Sequence, residues 1–463
     1  MKTKTFKHLG IAVIIAVSFT SCKKYLDDVS VNPNSPEDVG PKVLLANIEV
    51  ATFADYTGNN ARRAGIFTQH LAGGLFQAND IHQYIVLETD VTDDWKTIYT
   101  GALINSQIII DKYGAANPYY SGIAKIIKAL NLGLAADMWG DVPDKEALKG
   151  IELSLTPHFD PQANVYSDIQ TLLSSAISDL QKPSTSNSLF PGTEDYIFNG
   201  STSNWIATAY VLKARYANRL SKRSPAQSAT DALNYLVQAY AAGFTGNGSD
   251  AQAKFGGTTA DANQWGVYNN TRANYVKMGA FFVDTMKSTN DPRLAFFADS
   301  LAGGLYVGAD LVNPSTSTSN TGSYCSNTTL PLVTYTEAKF IEAECKLRNA
   351  DAAGAAIAHN EAVKASVLEV TGATNTAYQT AYASETAGTI SLGKIMTQKY
   401  IALFTQPETW TDWRRTDFPT LKPNPSSSLP GIPRRLPTSV DERTYNSNAI
   451  VNDNLLSHTW FDL

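Results

Sequence analysis

Two stretches of the chain carry side chains of the kind that recognise a hydroxylated ligand. The first is Phe76-Gln77-Ala78-Asn79-Asp80-Ile81-His82-Gln83-Tyr84, entered through Gly73-Gly74, a pair that permits a tight turn. The second is Asn263-Gln264-Trp265-Gly266-Val267-Tyr268-Asn269-Asn270-Thr271-Arg272-Ala273-Asn274-Tyr275, inside the longest polar segment of the sequence. Flat aromatic faces stack on the C–H surfaces of sugar rings, while planar amides, carboxylates and guanidinium groups exchange hydrogen bonds with hydroxyls. The candidate ligand contacts are therefore Phe76, Gln77, Asp80, His82 and Tyr84, with Trp265, Tyr268, Asn270, Arg272 and Tyr275. The competing use is structural: Trp265 and Tyr275 would pack the loop onto the body while the amides make turns, since ligand pockets use few polar groups.

Catalytic chemistry finds less support. Asp93-Asp94-Trp95 offers two carboxylates, as glycoside hydrolysis needs, but adjacent residues at a helix start point apart, and Asp before a helix is a common N-cap. No motif places a second carboxylate across a cleft. His70 and His82 are isolated, no H-E-x-x-H or cysteine pair supports zinc, and no G-x-S-x-G elbow is present. No catalytic residue and no cofactor are expected. Calcium stays undecided, because no EF-hand-like loop is found.

The elements that must position these residues are helical. Ile123, Ile127, Leu130, Leu134 and Met138 recur at steps of three and four and lie on one helix face, stopped by Gly140 and Pro143. Trp205, Ala209, Leu212, Tyr216 and Leu220 repeat the pattern, with Ser203 or Asn204 expected as the N-cap. Ala338, Ile341 and Cys345, then Ala356 to Val367 after a polar break, read as a helix-turn-helix pair. Met396, Tyr400 and Leu403 begin a further group that ends near Pro407. Long Gly, Ser, Thr and Asn-rich stretches separate the blocks, notably 241–271 and 313–329; loops of that length are usually functional or disordered. Strand alternation is scarce. The fold class is mostly α, with paired helices, long loops and minor β-hairpins.

The N-terminus reads as a removable signal. Lys2, Lys4 and Lys7 precede an apolar run from Leu9 to Val17, shorter than the roughly 20 residues that span a bilayer, and Cys22 follows. This is similar to a bacterial lipoprotein signal, in which the cysteine becomes the mature N-terminus and carries acyl chains. Residues 1–21 would be the signal and 22–463 one body, held on a membrane by more than one chain at about 0.8 kcal/mol per buried methylene. Losing three lysines takes the formal net charge from −6 to −9. With no basic stripe to offset it, such a body would repel phosphate backbones, so no nucleic-acid partner is expected. Whether Cys325 and Cys345 pair stays undecided, because Cys345 sits in an apolar helical pattern.

A family resemblance joins these readings. Asn105-Ser106-Gln107, Tyr120-Ser121-Gly122-Ile123-Ala124-Lys125-Ile126-Ile127-Lys128-Ala129 and Asp137-Met138-Trp139-Gly140-Asp141-Val142-Pro143 with Glu146-Ala147 resemble the N-terminal signature of the SusD/RagB family. Trp410-Thr411-Asp412-Trp413-Arg414-Arg415-Thr416, Phe418-Pro419, Pro433-Arg434-Arg435-Leu436-Pro437 and Trp460-Phe461-Asp462 resemble its C-terminal pattern, and Cys22-Lys23-Lys24-Tyr25-Leu26-Asp27 its opening.

The resemblance implies one helical domain on four tetratricopeptide-like helix pairs, lipid-anchored at Cys22 on the outer membrane and exposed at the cell surface. It implies a nutrient-binding, non-enzymatic partner of a SusC-like TonB-dependent transporter, with an oligosaccharide or peptide as cargo. It places the ligand near the two stretches by position only, because these loops vary with substrate. The shared motifs themselves read as architecture: Trp139-Gly140 closes a helix, Arg414 and Arg415 pair with Asp412 and Asp417, and Arg434 and Arg435 could bind anions but in a proline-rich turn read rather as braces. A secreted glycosidase and a scaffold whose loops bind nothing are the rivals.

Overall fold

The computed structural model describes residues 39–149, 155–258, 260–326 and 329–463. Cys22 and the whole signal lie outside them.

Helix α1 (Pro41–Ala54) begins with proline at its first turn, where the missing N–H is no loss, and runs through a widened turn at 55–59 into α2 (Asn60–Phe67). Gly58 breaks the helical dihedrals there, with φ −100° and ψ −116°. Strand β1 (Leu71–Gly73) leads into α3 (Phe76–His82). α1 packs against the helical stretch 92–113, forming a first pair.

Three further pairs follow: α4 (Pro118–Trp139) with α5 (Gln162–Leu180), α6 (Thr202–Asn218) with α7 (Pro225–Ala241), and α9 (Tyr335–Arg348) with α10 (Ala352–Thr371). Between the last two pairs come β2 (Ala251–Lys254), α8 (Gln264–Thr271), β3 (Val276–Met278) and β4 (Thr329–Val333). α11 (Leu392–Ala402) and α12 (Glu408–Thr416) close the helical body. The mostly α architecture of paired helices is thus as expected.

The helix pairs form because apolar stripes meet. Ile123, Ile127, Leu130, Leu134 and Met138 of α4 are all buried, each worth roughly 1.5–3 kcal/mol on transfer from water. α6 approaches so closely at Gly133 that a Cβ there would fall 1.9 Å from Tyr216 Oη. Gly140, at φ +90°, ends α4, and the Trp139 indole donates to the Pro437 carbonyl at 2.8 Å. The N-cap of α6 is Ser201, whose hydroxyl accepts from the Asn204 N–H, and not Ser203 or Asn204. The helix therefore starts earlier than its apolar pattern.

Each small sheet is antiparallel but joins strands far apart in the chain, β1 with β3 and β2 with β4, so neither is a hairpin of neighbours. The long polar stretch 241–271 is likewise not all loop, since it contains β2 and α8.

Buried charge ties the pairs together. Arg215 of α6 donates to Glu337 of α9, Arg219 meets Asp137 of α4 at 3.0 Å, and both arginines reach Glu408 of α12. Arg415 pairs with Asp412 as expected and also with Glu344. Arg414 has no carboxylate within salt-bridge distance among the described residues. Its guanidinium lies 4.0 Å from the Trp410 ring centroid and donates to the Arg434 carbonyl. Asp417 is taken by Arg434, which also reaches Asp462, and Arg435 donates to the Trp139 carbonyl, so both act as braces. Cys325 and Cys345 are unpaired, buried thiols.

Candidate ligand-binding site

The kink at Gly58 builds one wall of the site. A Cβ at that position would lie 2.4 Å from Gln264 Oε1, so the missing side chain lets the start of α8 dock against the α1–α2 corner. Gln264 Nε2 donates to the Phe53 carbonyl at 2.7 Å and to Thr57 Oγ1 at 3.0 Å. The Trp265 indole donates to the Thr57 carbonyl, while Asn263 caps α8 by accepting from the Trp265 N–H at 2.9 Å. One and two turns further on, Tyr268 and Arg272 follow Gln264 at i+4 and i+8 on the same helix face. They are carried over α2, where the Arg62 guanidinium lies 4.4 Å from the Tyr268 ring centroid and that of Arg272 lies 5.1 Å from it.

The opposite wall comes from β1 and α3. Pairing of Gly73 with Val276 and the bond from the Gly74 N–H to the Tyr275 carbonyl, 2.8 Å, bring the first stretch beside the second. Gly73 is required by the turn into α3, since a Cβ there would sit 1.7 Å from the Ala78 carbonyl oxygen. Phe76, 67 % exposed, lies over Tyr275 with ring centroids 5.0 Å apart.

Between the walls lies a cavity of about 530 Å³, within the roughly 300–1,000 Å³ of small-ligand clefts. Gln77, Asp80, Tyr268 and Arg272 line it, so four of the expected contacts, two from each stretch, share one space. Phe76 and Tyr275 form a tilted ring pair at the neighbouring β1–β3 junction, and Asn270 is exposed on α8. The other three expected residues are interior. Trp265 is 1 % exposed and packs edge-on to Phe404. The His82 ring donates through Nε2 to the Leu311 carbonyl, and burial lowers its pKa. The buried Tyr84 hydroxyl accepts from the Asn424 N–H at 2.9 Å. These three rings hold the loops to the body.

The cavity also uses residues that the sequence reading passed over. Asn59, Arg62, Arg63 and Ile66 face it from α2 and the turn before it, at i, i+3, i+4 and i+7, one helix face. That polar stripe on an otherwise buried helix was the available signal. Arg63 is paired with Asp94 at 2.9 Å. Arg62 donates to Asn59 Oδ1, and its Nη1 has no hydrogen-bond partner. Burial lowers the Arg62 pKa to about 10, with Tyr268 and Asp94 opposing the shift. Asp80, Asp90 and Asp93 supply carboxylates at the rim, together with the exposed Ile85 and Leu87. A second cleft, of about 290 Å³ and lined by residues such as Leu71, Phe281 and Leu311, holds none of the expected contacts. Among the described residues no group of three His, Cys, Asp or Glu is placed to hold a metal ion, and no helix is long and apolar enough to cross a membrane.

The comparisons with known proteins agree with this architecture. Residues 33–437 match the SusD-like family model described as starch-binding and associating with the outer membrane. The chain belongs to the SusD-like family. Its members are binding proteins and not enzymes, and the chain is one of them. No curated protein sequence matches it. Among solved structures, it resembles a SusD/RagB family protein from Bacteroides thetaiotaomicron at 23 % identity and TM-score 0.75, covering 92 % of this chain and 99 % of that one. It also resembles a chitin-binding SusD homologue from Flavobacterium johnsoniae at 20 % identity and TM-score 0.77, covering 91 % and 97 %. For this SusD-like protein those likenesses establish the fold, and the ligand has to be argued from the cavity.

Proposed function

We propose that this SusD-like protein binds an oligosaccharide at the cell surface and delivers it to a SusC-like TonB-dependent outer-membrane transporter, anchored through acyl chains on Cys22. The observation that carries the ligand reading is the meeting of Gln77 and Asp80 with Tyr268 and Arg272 around one cavity. The Tyr268 ring offers an apolar surface to a sugar ring, and the amide, the carboxylates and the guanidiniums take its hydroxyls. The family's outer-membrane association and the chitin-binding relative support the same reading. None of the lining residues comes from the α4–α5, α6–α7 or α9–α10 pairs, which leaves those pairs available for the transporter.

Peptide cargo is the second reading, favoured by the exposed aliphatic side chains of Ile85 and Leu87 at the rim. Calorimetric titration of the purified protein against oligosaccharides and peptides, with Tyr268→Ala and Asp80→Asn beside it, separates the two. Saturable heat with an oligosaccharide, weakened by both substitutions and without product formation, supports glycan capture. Heat with peptides alone transfers the site to peptide cargo. Cys22→Ser should release the protein from the membrane fraction, and a variant still retained there would remove the lipid anchor from the proposal.

A further inference from the structure

Resting on the glycan reading above, we infer that the oligosaccharide carries an isolated anionic group, a carboxylate or a sulfate, which is seated on the Arg62 and Arg272 guanidiniums beside Tyr268. Taking a guanidinium out of water is costly unless an acid and hydrogen-bond acceptors compensate. The other deeply buried arginines follow that rule: Arg63, Arg215, Arg219, Arg293 and Arg415 each have a carboxylate oxygen within 3.0 Å. Arg414, the exception elsewhere, has an aromatic ring and the Arg434 carbonyl in place of an acid.

Arg62 is 9 % exposed and, among the described residues, has no carboxylate within salt-bridge distance and one neutral acceptor, Asn59 Oδ1. Its Nη1 makes no hydrogen bond among the described residues. Asp94, an acid acting on it, is already engaged by Arg63 at 2.9 Å and by Asn59 at 3.0 Å. The environments pull in opposite directions. Burial works against Arg215 and Arg415 too, yet the adjacent glutamates raise their pKa values, whereas burial prevails at Arg62 and lowers it. Arg272 is a second guanidinium on the same cavity, exposed, with the Tyr268 and Tyr275 rings as its neighbours and no ion pair among the described residues.

Two guanidiniums on one ring offer what a single carboxylate or sulfate needs: planar N–H donors and fixed positive charge in a partly dehydrated cleft. The rim limits the charge. Asp80 and Asp93 are exposed there and repel a second anionic group, so the cavity fits a glycan with one acidic unit among neutral ones and disfavours a densely charged polyanion.

The test is calorimetric titration of the full chain with a panel of oligosaccharides in matched forms: neutral, uronic-acid-bearing, the same carboxyl reduced to the alcohol, and monosulfated. An acidic peptide is included, and Arg62→Met and Arg272→Gln are run beside the wild type. The expected result is an acidic member bound at least tenfold tighter than its neutral match. Each substitution should weaken binding of the acidic member at least tenfold more than binding of its neutral match. Neutral members bound as tightly as acidic ones, with both variants silent, overturn this inference and leave glycan capture standing. No glycan bound by folded protein, or binding of the acidic peptide alone, overturns both. Thermal melting gives a readout that does not need the right sugar backbone. Millimolar glucuronate or sulfate should raise the wild-type midpoint and not that of Arg62→Met, and an equal rise in both overturns the seat at Arg62. A folded Arg62→Met protein that melts well below the wild type makes Arg62 a structural cation and overturns it as well.

Discussion

The Arg62 guanidinium lies 4.4 Å from the centroid of the Tyr268 ring, joining a helix near the start of the chain to one past its middle. The contact fixes the ring at the cavity, whereas Trp265, three residues earlier on the same helix, points into the core. The two aromatic residues should therefore respond differently to truncation. Tyr268→Ala is expected to leave the denaturation midpoint within about 1 kcal/mol of wild type and to weaken ligand binding about tenfold or more. Trp265→Ala should cost about 3–5 kcal/mol of stability, because it leaves a cavity and an unpaired Thr57 carbonyl. Paired chemical denaturation and titration of the two variants checks both expectations.

The α4–α6 contact predicts a sensitive glycine. At Gly133 the gain in helix propensity from alanine, about 1 kcal/mol, is set against overpacking onto the buried Tyr216 ring. Overpacking should win, because the ring is itself held among Tyr166 and the Leu130 carbonyl. Gly133→Ala is expected to destabilise by about 1–3 kcal/mol, read as a lower denaturation midpoint, with Gly133→Val worse. Unchanged stability would mean that the helices separate without penalty.

Glu408 compensates two buried arginines at once. Burial works against its ionised form, but Arg219 and Arg215 outweigh it and hold the carboxyl below its usual range. Glu408→Gln keeps the shape and leaves both guanidiniums short of charge, so a loss of about 3–5 kcal/mol is expected in denaturant titration. The same substitution at Glu385, a surface partner of Lys394, should cost no more than about 1 kcal/mol.

Two glutamates, Glu344 buried and Glu369 half-buried, give the pH dependence opposite signs. At Glu344 burial is outweighed by Arg415 and Arg348, and the pKa falls from 4.5 to about 2. Its contribution is fully present above about pH 4.5 and is lost as the pH falls toward 2. At Glu369 burial dominates and raises the pKa from 4.5 to about 7, so the folded state holds a proton the unfolded chain releases, and stability declines as the pH rises between those values. Melting curves from pH 3 to 8 should show Glu344→Gln flattening the acid limb and Glu369→Gln flattening the decline toward neutrality. The reverse assignment would refute the burial argument.

Much of this fold was legible because the signals were local. The apolar stripe of α4, its stop at Gly140 and the α9–α10 pair all follow from spacing within a few residues. The sheets were not, because β1 and β3 are three residues each and pair across some two hundred positions. The site was half legible. Composition singled out Gln77, Asp80, Tyr268 and Arg272, but it weighted Trp265, Tyr84 and His82 equally. What turns Trp265 inward is docking at Gly58, a glycine whose role depends on Gln264 arriving from elsewhere in the chain, while His82 and Tyr84 are held by Leu311 and Asn424. Arg62 was passed over because charge on a helix is usually solvated, and only the packing of α8 over α2 buries it.

The two cysteines have a consequence beyond packing. Burial pushes the Cys345 thiol up to about 12 and raises that of Cys325 as well, so neither yields appreciable thiolate at neutral pH. In an oxidising compartment neither of these two thiols offers a nucleophile for mispairing with a neighbour. Each thiol becomes reactive only when its surroundings open, which makes the two positions native clocks for unfolding. The rate of their alkylation reports how often the α9 core and the segment around Cys325 come apart.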